Sequence, residues 1–309
     1  MPGIGIILNP HSKSNRQNPA QMERIGFIVG DKGSCAQTKD FNDLKRVAQE
    51  FKDREIDVLG INGGDGTIHR TIMTFLKVYG DKPLPQIALL RGGTINNIAM
   101  ACGIYGRSEK IISNLIYKYH NGEPFKTKTV RPMKINDQYG FIWGCGVVYR
   151  FIDKFYKLKS RSPFLAAGTL LHAIGSGLVN GRFANELFDP FGAEVEINGK
   201  KWELKNYSAL YAATVPYIGL HFKTFYLTEK NPDIFHAVGF CMKPRSIVPY
   251  MPAMFFGRPS GAPTLREEGA TEMTIHFSEP VPYTIDGDCY KAEESLRFSI
   301  GPALTILIP

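Results

Sequence analysis

A glycine-rich turn between an apolar run and a helical pattern constrains the fold of this chain more than any other feature. Residues 56–61 are mostly apolar and predict a buried strand. Apolar residues then recur at helical spacing from Ile68 to Leu76. The turn between them reads Asn62-Gly63-Gly64-Asp65-Gly66-Thr67. This order is typical of a parallel sheet flanked by helices, in which ligands bind at the carboxyl ends of the strands.

The rest of the first half repeats the alternation of strand and helix. Residues 4–8 predict a first strand, and residues 40–54 predict an amphipathic helix. Residues 86–90 predict another buried strand, which a second turn, Gly92-Gly93-Thr94, follows. Residues 18–37 fit either a helix or a strand. We therefore expect an N-terminal three-layer α/β domain with a parallel sheet.

Beyond residue 129 the pattern changes from helices to alternating strands. Asn198-Gly199 follows the alternating residues 193–197 and predicts a tight hairpin turn. Further strand candidates lie at residues 207–214, 236–242, 272–277 and 296–300. Because loops rich in proline and glycine separate them, we expect a mainly antiparallel β-sandwich domain.

Length, cysteine usage and charge narrow the class of protein. The 309 residues exceed the usual size of one hydrophobic core and favour two domains. Five scattered cysteines disfavour a disulfide framework and a zinc site, and they fit a reducing cytoplasm. The start of the chain lacks a signal-peptide pattern, and its most apolar stretch is too short to span a membrane. The net charge of +8 favours anionic partners, although the basic residues are too dispersed to favour nucleic acid.

The residue types of the Gly63 to Thr67 motif suit phosphate binding. Glycines permit positive φ and let backbone N–H groups approach phosphate oxygens closely. Asp65 can bind Mg²⁺ through water or accept a proton, and Thr67 can hydrogen-bond a phosphate. Gly-Asp-Gly also occurs as a plain turn, so this motif alone does not establish a site.

Ordered motifs extend the pattern along the chain. They are Asn9-Pro10-His11-Ser12-Lys13, Thr38, Gly63-Gly64-Asp65-Gly66-Thr67, Gly93-Thr94-Ile95-Asn96-Asn97, Asp286-Gly287-Asp288 and Gly301-Pro302-Ala303-Leu304. In order and spacing the chain resembles the diacylglycerol kinase catalytic family, which includes bacterial lipid kinases and the sphingosine and ceramide kinases. The resemblance implies a C-terminal strand that returns to the first domain. Residues 1–129 plus about 300–309 would then form a nucleotide-binding domain, and residues 130–299 a β-rich lipid-substrate domain.

The resemblance also implies an activity and its residues. The implied reaction is ATP-dependent transfer of the γ-phosphate to the hydroxyl of a lipid alcohol, diacylglycerol-like or sphingoid, with ATP and Mg²⁺ as cofactors. The implied catalytic residues are Asp65 and either Asp286 or Asp288, one of which accepts the hydroxyl proton. The implied nucleotide-binding residues are Asn9, Pro10, Ser12, Lys13, Thr38, Gly63, Gly64, Asp65, Gly66, Thr67, Gly93, Thr94 and Asn96.

The chain departs from the family pattern at Lys13, Arg70, Arg91, Asn97 and Asp288. Arg70 and Asn97 remove negative charge near the expected phosphate site. This loss of negative charge is consistent with stronger anion binding, with altered metal handling or with lost activity. Two alternatives therefore stay open. One is a non-catalytic nucleotide- or lipid-binding relative, and the other is a soluble-metabolite kinase such as an NAD kinase, which shares the Gly-Gly-Asp-Gly turn.

Lipid, membrane and metal contacts each have a candidate segment. Residues 150–161 combine basic and apolar side chains at helical spacing, so they form either an anionic-membrane contact or a packed helix with a basic outer face. Residues 164–179 and 250–256 fit a lipid groove or the core equally well. Asn231 and Asp233 offer too few carboxylates for a structural Mg²⁺ site, so we expect that metal to be absent or weakly bound. We expect a cytoplasmic protein in transient contact with the inner face of the membrane; its oligomeric state stays open.

Overall fold

The computed structural model of the chain describes residues 3–93, 96–157, 181–218 and 222–309, and it describes only the backbone of Lys13, Lys32, Asn97 and Tyr156. Thr94 of the expected nucleotide site and the apolar residues 164–179 lie outside the described residues. The chain divides into two compact units. The first comprises Met1–Val130 and Ala303–Pro309, and the second comprises Arg131–Pro302. The assignment of a nucleotide role and a lipid role to these units stays a prediction.

The order of elements differs between the two units. The described strands are β1 (Ile4–Leu8), β2 (Gly33–Gln37), β3 (Val58–Asn62), β4 (Gln86–Leu89), β5 (Lys126–Val130), β6 (Met133–Ile135), β7 (Gln138–Gly140), β8 (Ile142–Gly146), β9 (Phe191–Ile197), β10 (Lys200–Lys201), β11 (Asn206–Tyr207), β12 (Ala209–Ala213), β13 (Phe235–Phe240), β14 (Leu265–Ala270), β15 (Glu272–Ile285), β16 (Asp288–Ile300) and β17 (Leu304–Ile308). The described α-helices are α1 (Lys13–Gln17), α2 (Ala20–Val29), α3 (Phe41–Asp53), α4 (Asp65–Tyr79), α5 (Asn97–Ala101), α6 (Ser108–Asn121), α7 (Val147–Tyr156), α8 (Arg182–Leu187), α9 (Pro244–Ile247) and α10 (Met251–Phe256). None of these described helices is long and apolar enough to cross a membrane.

The sheet of the first unit has the order β2-β1-β3-β4-β17-β5. Its neighbouring strands are parallel except for β17 and β5. The expected C-terminal strand therefore does return to the first unit, where it lies between β4 and β5. The strand β1 is buried along its whole length, as is typical of parallel strands that are covered on both faces.

Helices cover both faces of this sheet. A Cβ on Gly5 would lie 2.6 Å from Phe51 Cε2, so α3 packs closely on one face. A Cβ on Gly33 would lie 3.0 Å from Val29 Cγ1 of α2. Gly33 is the register partner of Ile4, the neighbour of Gly5, so α2 packs on the opposite face. The expected three-layer α/β architecture is confirmed.

Local signals explain where α3 begins. Asp40 is its N-cap, and the Asp40 side chain accepts a hydrogen bond from the backbone N–H of Asp43. The buried face of α3 comprises Leu44, Val47, Ala48 and Phe51. The helix predicted for residues 40–54 is confirmed to within one residue at each end. Residues 18–37, which fitted either element, contain both α2 and β2.

The second unit is built on an antiparallel sheet in which one long hairpin joins two halves. Its strand order is β14-β13-β12-β8-β15-β16-β6-β7, and β9 pairs separately with β15. Residues 273–277 of β15 pair with β9, and residues 283–285 pair with β8. Side chains from both halves, including Trp143, Val195 and Phe298, share one buried core. The expected β-sandwich character is confirmed.

Two tight turns of the second unit use residues with positive φ. Asn198 and Gly199 have φ of 48° and 76°, as a type I′ hairpin turn requires. Asp286 and Gly287 have φ of 48° and 90° and join β15 to β16. The predicted hairpin at Asn198-Gly199 is therefore confirmed, and the Asp286-Gly287-Asp288 motif lies at the second turn.

Candidate nucleotide-binding site

The two glycine-rich turns of the first unit pack against each other, backbone to backbone. A Cβ on Gly93 would lie 2.2 Å from Gly64 Cα, and a Cβ on Gly92 would lie 2.7 Å from the backbone nitrogen of Gly63. Side chains cannot approach backbone atoms this closely. Glycine is therefore required at both positions because the turns after β3 and β4 touch, and this requirement involves no ligand.

Helix α4 begins inside the Gly63 to Thr67 motif. Gly64 is the N-cap, and Asp65, Gly66 and Thr67 form the first helical turn, where the sequence predicted a loop. The first N–H groups of a helix have no intrahelical acceptor, and they carry the positive end of the helix dipole. The motif therefore places the anion-binding end of a helix at the carboxyl edge of a parallel sheet.

Two glycines of this motif differ in what their surroundings permit. A Cβ on Gly63 would lie 2.3 Å from Thr67 Cβ, so packing within the motif excludes a side chain there. Among the residues that the structure describes, a Cβ on Gly66 would meet no atom within 4 Å. Packing among the described residues thus explains why residue 63 is a glycine, and it does not explain why residue 66 is one. Close approach of a ligand to the start of α4 does explain a glycine at residue 66.

Asn9 ties the opening loop to the start of α4. Its Nδ2 donates to Thr67 Oγ1 at 2.8 Å, and its backbone N–H donates to the carbonyl of Asn62 at 3.1 Å. Asn9 Oδ1 accepts a hydrogen bond from the backbone N–H of His11 at 2.9 Å. Because Thr67 Oγ1 accepts the bond from Asn9, the Thr67 hydroxyl retains its own proton for another acceptor.

A network of buried polar side chains, which the sequence analysis missed, supports this loop. Asn15 Nδ2 donates to the carbonyl of Asn9 at 2.7 Å and to Asn62 Oδ1 at 2.8 Å. Asn62 Nδ2 donates to Ser108 Oγ at 3.2 Å, and Ser108 Oγ in turn donates to the carbonyl of Leu90. The available signal was an asparagine at the end of an apolar strand. Such a residue, once buried, needs partners from elsewhere in the chain.

Asp65 and Asn96 connect α4 to the second glycine-rich turn. Asp65 Oδ1 accepts a hydrogen bond from the backbone N–H of Ile98 at 3.2 Å, at the start of α5. Asn96, with φ of 56°, closes the turn on itself. Its Oδ1 accepts from the backbone N–H of Gly93, and its Nδ2 donates to the carbonyl of Gly93, both at 3.0 Å. Both side chains therefore fix the shape of the backbone around the turn.

The other predicted nucleotide-binding residues lie at the carboxyl ends of the neighbouring strands. Pro10 and Ser12 follow β1, and Thr38 follows β2, where its backbone N–H donates to the carbonyl of Leu8 at 3.1 Å. Ser12 is buried, and its hydroxyl oxygen has no hydrogen-bond partner in the described part of the chain. The backbone of Lys13 begins α1.

Arg91, one of the departures from the family pattern, lies directly beside the second glycine-rich turn. Its φ of 51° is unusual for a residue with a side chain. The Arg91 guanidinium donates to the carbonyl of Gly106 at 3.2 Å and lies 6.0 Å from the centre of the Tyr105 ring. Arg70 is exposed on α4. The first unit therefore holds a fixed cation next to the turn.

The two aspartates of the Asp286-Gly287-Asp288 motif have different surroundings in the second unit. The Asp286 carboxylate accepts hydrogen bonds from the backbone N–H of Phe141, at 3.1 and 3.0 Å, and from that of Ile142, at 2.8 Å. The backbone N–H of Asp286 donates to the carbonyl of Ile142 at 2.8 Å. Asp286 thus anchors the hairpin to the start of β8. Asp288 begins β16 and is half-buried.

The Asn231-Pro232-Asp233 segment holds an ion pair. Asp233 Oδ1 lies 2.7 Å from Arg131 Nε, and the Asp233 backbone N–H donates to Asn231 Oδ1 at 2.9 Å. Arg131 also donates to the carbonyl of Gly301 at 3.1 Å. Within residues 3–93, 96–157, 181–218 and 222–309, no group of three or more His, Cys, Asp or Glu side chains is arranged to hold a metal ion.

Comparison with solved structures shows the same fold in three proteins from Bacillus anthracis strain Sterne, each matched over 99% of this chain. One, a diacylglycerol kinase, is 13% identical with a TM-score of 0.69, over 97% of its own length. Two others, described provisionally as diacylglycerol kinases, are each 15% identical, with TM-scores of 0.75 and 0.74 over 96% and 97% of their lengths. At these identities the likeness establishes the fold alone.

Comparison of the sequence with family models gives a match within the first unit. No curated protein matches the chain. The family model of the diacylglycerol kinase catalytic domain matches residues 4–122, which include the two glycine-rich turns and the Asn9 loop. The resemblance predicted from the motifs is therefore confirmed for residues 4–122, which are similar to the diacylglycerol kinase catalytic domain family.

Proposed function

We propose that this protein is a cytoplasmic, ATP-dependent lipid kinase that transfers the γ-phosphate of ATP to the hydroxyl of a lipid alcohol. One observation carries the proposal: a Cβ on Gly66, at the start of α4, would meet no atom of the described residues within 4 Å. Contacts inside the first unit explain Gly63, Gly92 and Gly93. A phosphate group lying against the helix N-terminus explains Gly66.

The groups around Gly66 are those that a phosphate needs. The backbone N–H of Thr67 donates to the carbonyl of Gly64 at 2.9 Å, so the N–H groups of Asp65 and Gly66 are those that donate to phosphate oxygens. The helix dipole favours the negative charge. The Thr67 hydroxyl accepts from Asn9 and so donates its proton to a phosphate oxygen. The buried Ser12 hydroxyl, which has no partner among the described residues, supplies a further donor from the opening loop.

Asp65 suits the magnesium ion that accompanies ATP. When bound, Mg²⁺ neutralises phosphate charge in phosphoryl transfer. Asp65 is the acidic residue in the first turn of α4, and carboxylate oxygens are the ligands that Mg²⁺ prefers, directly or through water. The backbone N–H of Ile98 holds one oxygen of this carboxylate, so its orientation is set before any ligand binds.

Asp288 is the residue that we assign as general base for the acceptor hydroxyl. The Asp286 carboxylate accepts hydrogen bonds from two backbone N–H groups and holds the hairpin in place. A base must instead direct a carboxylate oxygen at the hydroxyl whose proton it takes. The resemblance named Asp286 and Asp288 without choosing between them, and the backbone contacts of Asp286 favour Asp288.

A substitution at Gly66 tests the nucleotide site directly. Gly66→Ala should leave the free energy of unfolding equal or raise it by up to about 1 kcal/mol, because alanine favours helix. Its affinity for Mg-ATP should fall at least about tenfold, because the new methyl group occupies the place of a phosphate. Gly26→Ala is the matched control, since Gly26 lies in α2 and its Cβ would likewise meet no described atom within 4 Å.

Urea unfolding and titration with Mg-ATP, followed by calorimetry, measure the two quantities. Gly26→Ala should match Gly66→Ala in stability and match the wild type in nucleotide affinity. If Gly66→Ala binds Mg-ATP as the wild type does, the phosphate does not lie at the start of α4 and the proposed site is wrong.

The reaction itself is tested by transfer of labelled γ-phosphate from Mg-ATP to a panel of lipid alcohols in mixed micelles, with NAD as the water-soluble acceptor. The wild type should label a lipid. Asp288→Asn should lower the rate by about 10²- to 10⁴-fold while thermal melting shows that the variant stays folded. Asp137→Asn, in an exposed turn of the same unit, should leave the rate and the thermal melting unchanged.

Each other outcome of this assay selects an alternative. Labelled NADP in place of a labelled lipid would assign the protein to the metabolite kinases. Mg-ATP binding without any labelled product would support the non-catalytic reading. An Asp288→Asn variant with wild-type turnover would remove Asp288 from the mechanism.

A further inference from the structure

The helix α10 exposes an apolar surface that nothing in the described chain covers. Its six residues, Met251 to Phe256, are all apolar, yet none of them is buried. Phe255 and Phe256 are 37% and 66% exposed. Scattered exposed apolar residues are ordinary, but a whole helix of them marks a contact surface.

The aromatic side chains of this surface form a cluster. The rings of Phe222 and Phe255 are 5.1 Å apart between centres, and those of Phe255 and Phe256 are 5.2 Å apart. Phe222 is half-buried, so the cluster is attached to the unit on one side and reaches solvent on the other. Phe27 of α2 is 88% exposed and has no such ring contact among the described residues. The Phe255 and Phe256 rings therefore present a joint apolar surface, whereas Phe27 is isolated.

Basic residues flank the helix of this cluster in the sequence. Residues 241–265 contain Lys243, Arg245 and Arg258 and no aspartate or glutamate. All three basic residues are exposed. Within the described ranges, no carboxylate oxygen lies within 4 Å of any of them. This combination of exposed apolar rings and uncompensated positive charge matches an anionic lipid surface.

We propose that residues 243–258, called the docking segment below, bind the protein to an anionic membrane. The rings enter the interface between headgroups and acyl chains, and the three cations contact lipid phosphates. The proposal concerns membrane attachment and does not depend on phosphoryl transfer.

Residues 150–161, the candidate for membrane contact from the sequence, are less suited to it than the docking segment. In α7, Lys154 Nζ lies 2.8 Å from Glu186 Oε2, and Lys157 Nζ lies 2.6 Å from Asp153 Oδ2. Arg150 donates to the backbone carbonyls of Leu187 and Asp189. Lys154 and Lys157 are therefore paired with carboxylates, Arg150 is held by backbone carbonyls, and residues 158–161 lie outside the described part of the chain. The docking segment retains its charge for an external partner.

Sedimentation with vesicles tests the proposal on the full chain without ATP. The vesicles are phosphatidylcholine alone, or phosphatidylcholine with phosphatidylglycerol. Each uncompensated cation adds roughly a fivefold factor in affinity for an anionic surface, so binding should be about a hundredfold tighter to the anionic vesicles. This preference should fall as sodium chloride is raised.

Variants separate the docking segment from other surfaces. The double variant Phe255→Ser with Phe256→Ser should lose at least about tenfold in vesicle affinity, and Arg258→Gln should lose about fivefold. Phe27→Ser removes a more exposed ring and should bind as the wild type does. In Phe256→Trp, the tryptophan fluorescence should shift to the blue on vesicle binding. Binding of Mg-ATP should be unchanged in every variant, which separates this proposal from the proposed function.

Several results would overturn the proposal. Equal affinity of the wild type and the double serine variant would place the contact elsewhere. Equal affinity for neutral and anionic vesicles would remove the role of the cations. A dimer of the wild type in light scattering that becomes a monomer in the double serine variant would show that a second copy of the chain covers α10.

Discussion

Acidification should weaken the second unit through one buried side chain, His236 of β13. The imidazole is fully buried, and neither ring nitrogen has a hydrogen-bond partner among the described residues. Its Nε2 lies 3.8 Å from Glu267 Oε2. Burial nevertheless lowers the pKa of His236 to about 4, because desolvation penalises the charged ring.

The sign and size of the effect follow from this pKa. An unfolded histidine takes up a proton near pH 6.5, whereas His236 in the folded unit stays neutral until about pH 4. Above pH 6.5 the His236 side chain is neutral in both states and does not change the free energy of unfolding. As the pH falls from 6.5 to about 4, the free energy of unfolding falls. The loss reaches about 3 kcal/mol at pH 4. Burial raises the pKa of Glu267, so proton uptake by that carboxyl in the folded unit offsets part of the loss.

Urea unfolding between pH 7.5 and pH 4.5 measures the loss. Tryptophan fluorescence reports on the second unit, because both tryptophans of the chain, Trp143 and Trp202, are buried there. His236→Gln, which cannot titrate, should have a flatter profile by about 2 to 3 kcal/mol across this range. His120→Gln, at an exposed position, is the control and should keep the wild-type profile. Parallel profiles for the wild type and His236→Gln would refute the reasoning.

Three further substitutions test contacts in the two units. Gly63→Ala places a Cβ 2.3 Å from the Cβ of Thr67 and should lower the free energy of unfolding by about 1 to 3 kcal/mol. It should also lower the affinity for nucleotide, and thermal melting with and without Mg-ATP measures both effects. Asp286→Asn weakens the charged anchor of the β15–β16 hairpin and should cost about 2 kcal/mol in urea unfolding. Arg131→Met breaks the ion pair with the largely exposed Asp233 and should lower the free energy of unfolding by at most about 1 kcal/mol. Most of this difference from the wild type should disappear at high salt.

The sheet of the first unit could be predicted from the sequence because its strands are covered on both faces. Such strands appear as apolar runs, and residues 4–8 match β1 at both ends. Residues 18–37 could not be assigned for a physical reason. Helix α2 contains Gly26 in its interior and exposes Phe27, so its apolar periodicity is blurred, and β2 follows after one turn of 3₁₀-helix.

The long hairpin of the second unit was predicted only in part. Residues 272–277 and 296–300 were expected as short strands, whereas β15 and β16 are 14 and 13 residues long. Pro280 and Pro282 interrupt the alternation of β15, and its register with β16 shifts between His276 and Tyr283. An irregular strand loses the pattern by which sequence reveals it.

The buried network under the nucleotide-binding turn could not be predicted from local patterns. Asn15 and Asn62 are 47 positions apart, and Asn62 and Ser108 are 46 positions apart. Each residue alone is typical of a loop or a helix cap. Only the parallel packing of β1, β3 and β4 brings the three side chains together, so their role belongs to the tertiary structure.

The glycines of the two turns show why a matching motif does not assign a role to each of its residues. Gly63, Gly92 and Gly93 meet steric demands within the first unit, so their substitution removes nucleotide binding by deforming the turns. No described part of the chain makes such a demand on Gly66, so its substitution perturbs only what lies against the start of α4. Lost binding in a Gly63 variant is therefore expected with or without a phosphate contact. Lost binding in a stable Gly66 variant locates the phosphate at the N-terminus of this helix.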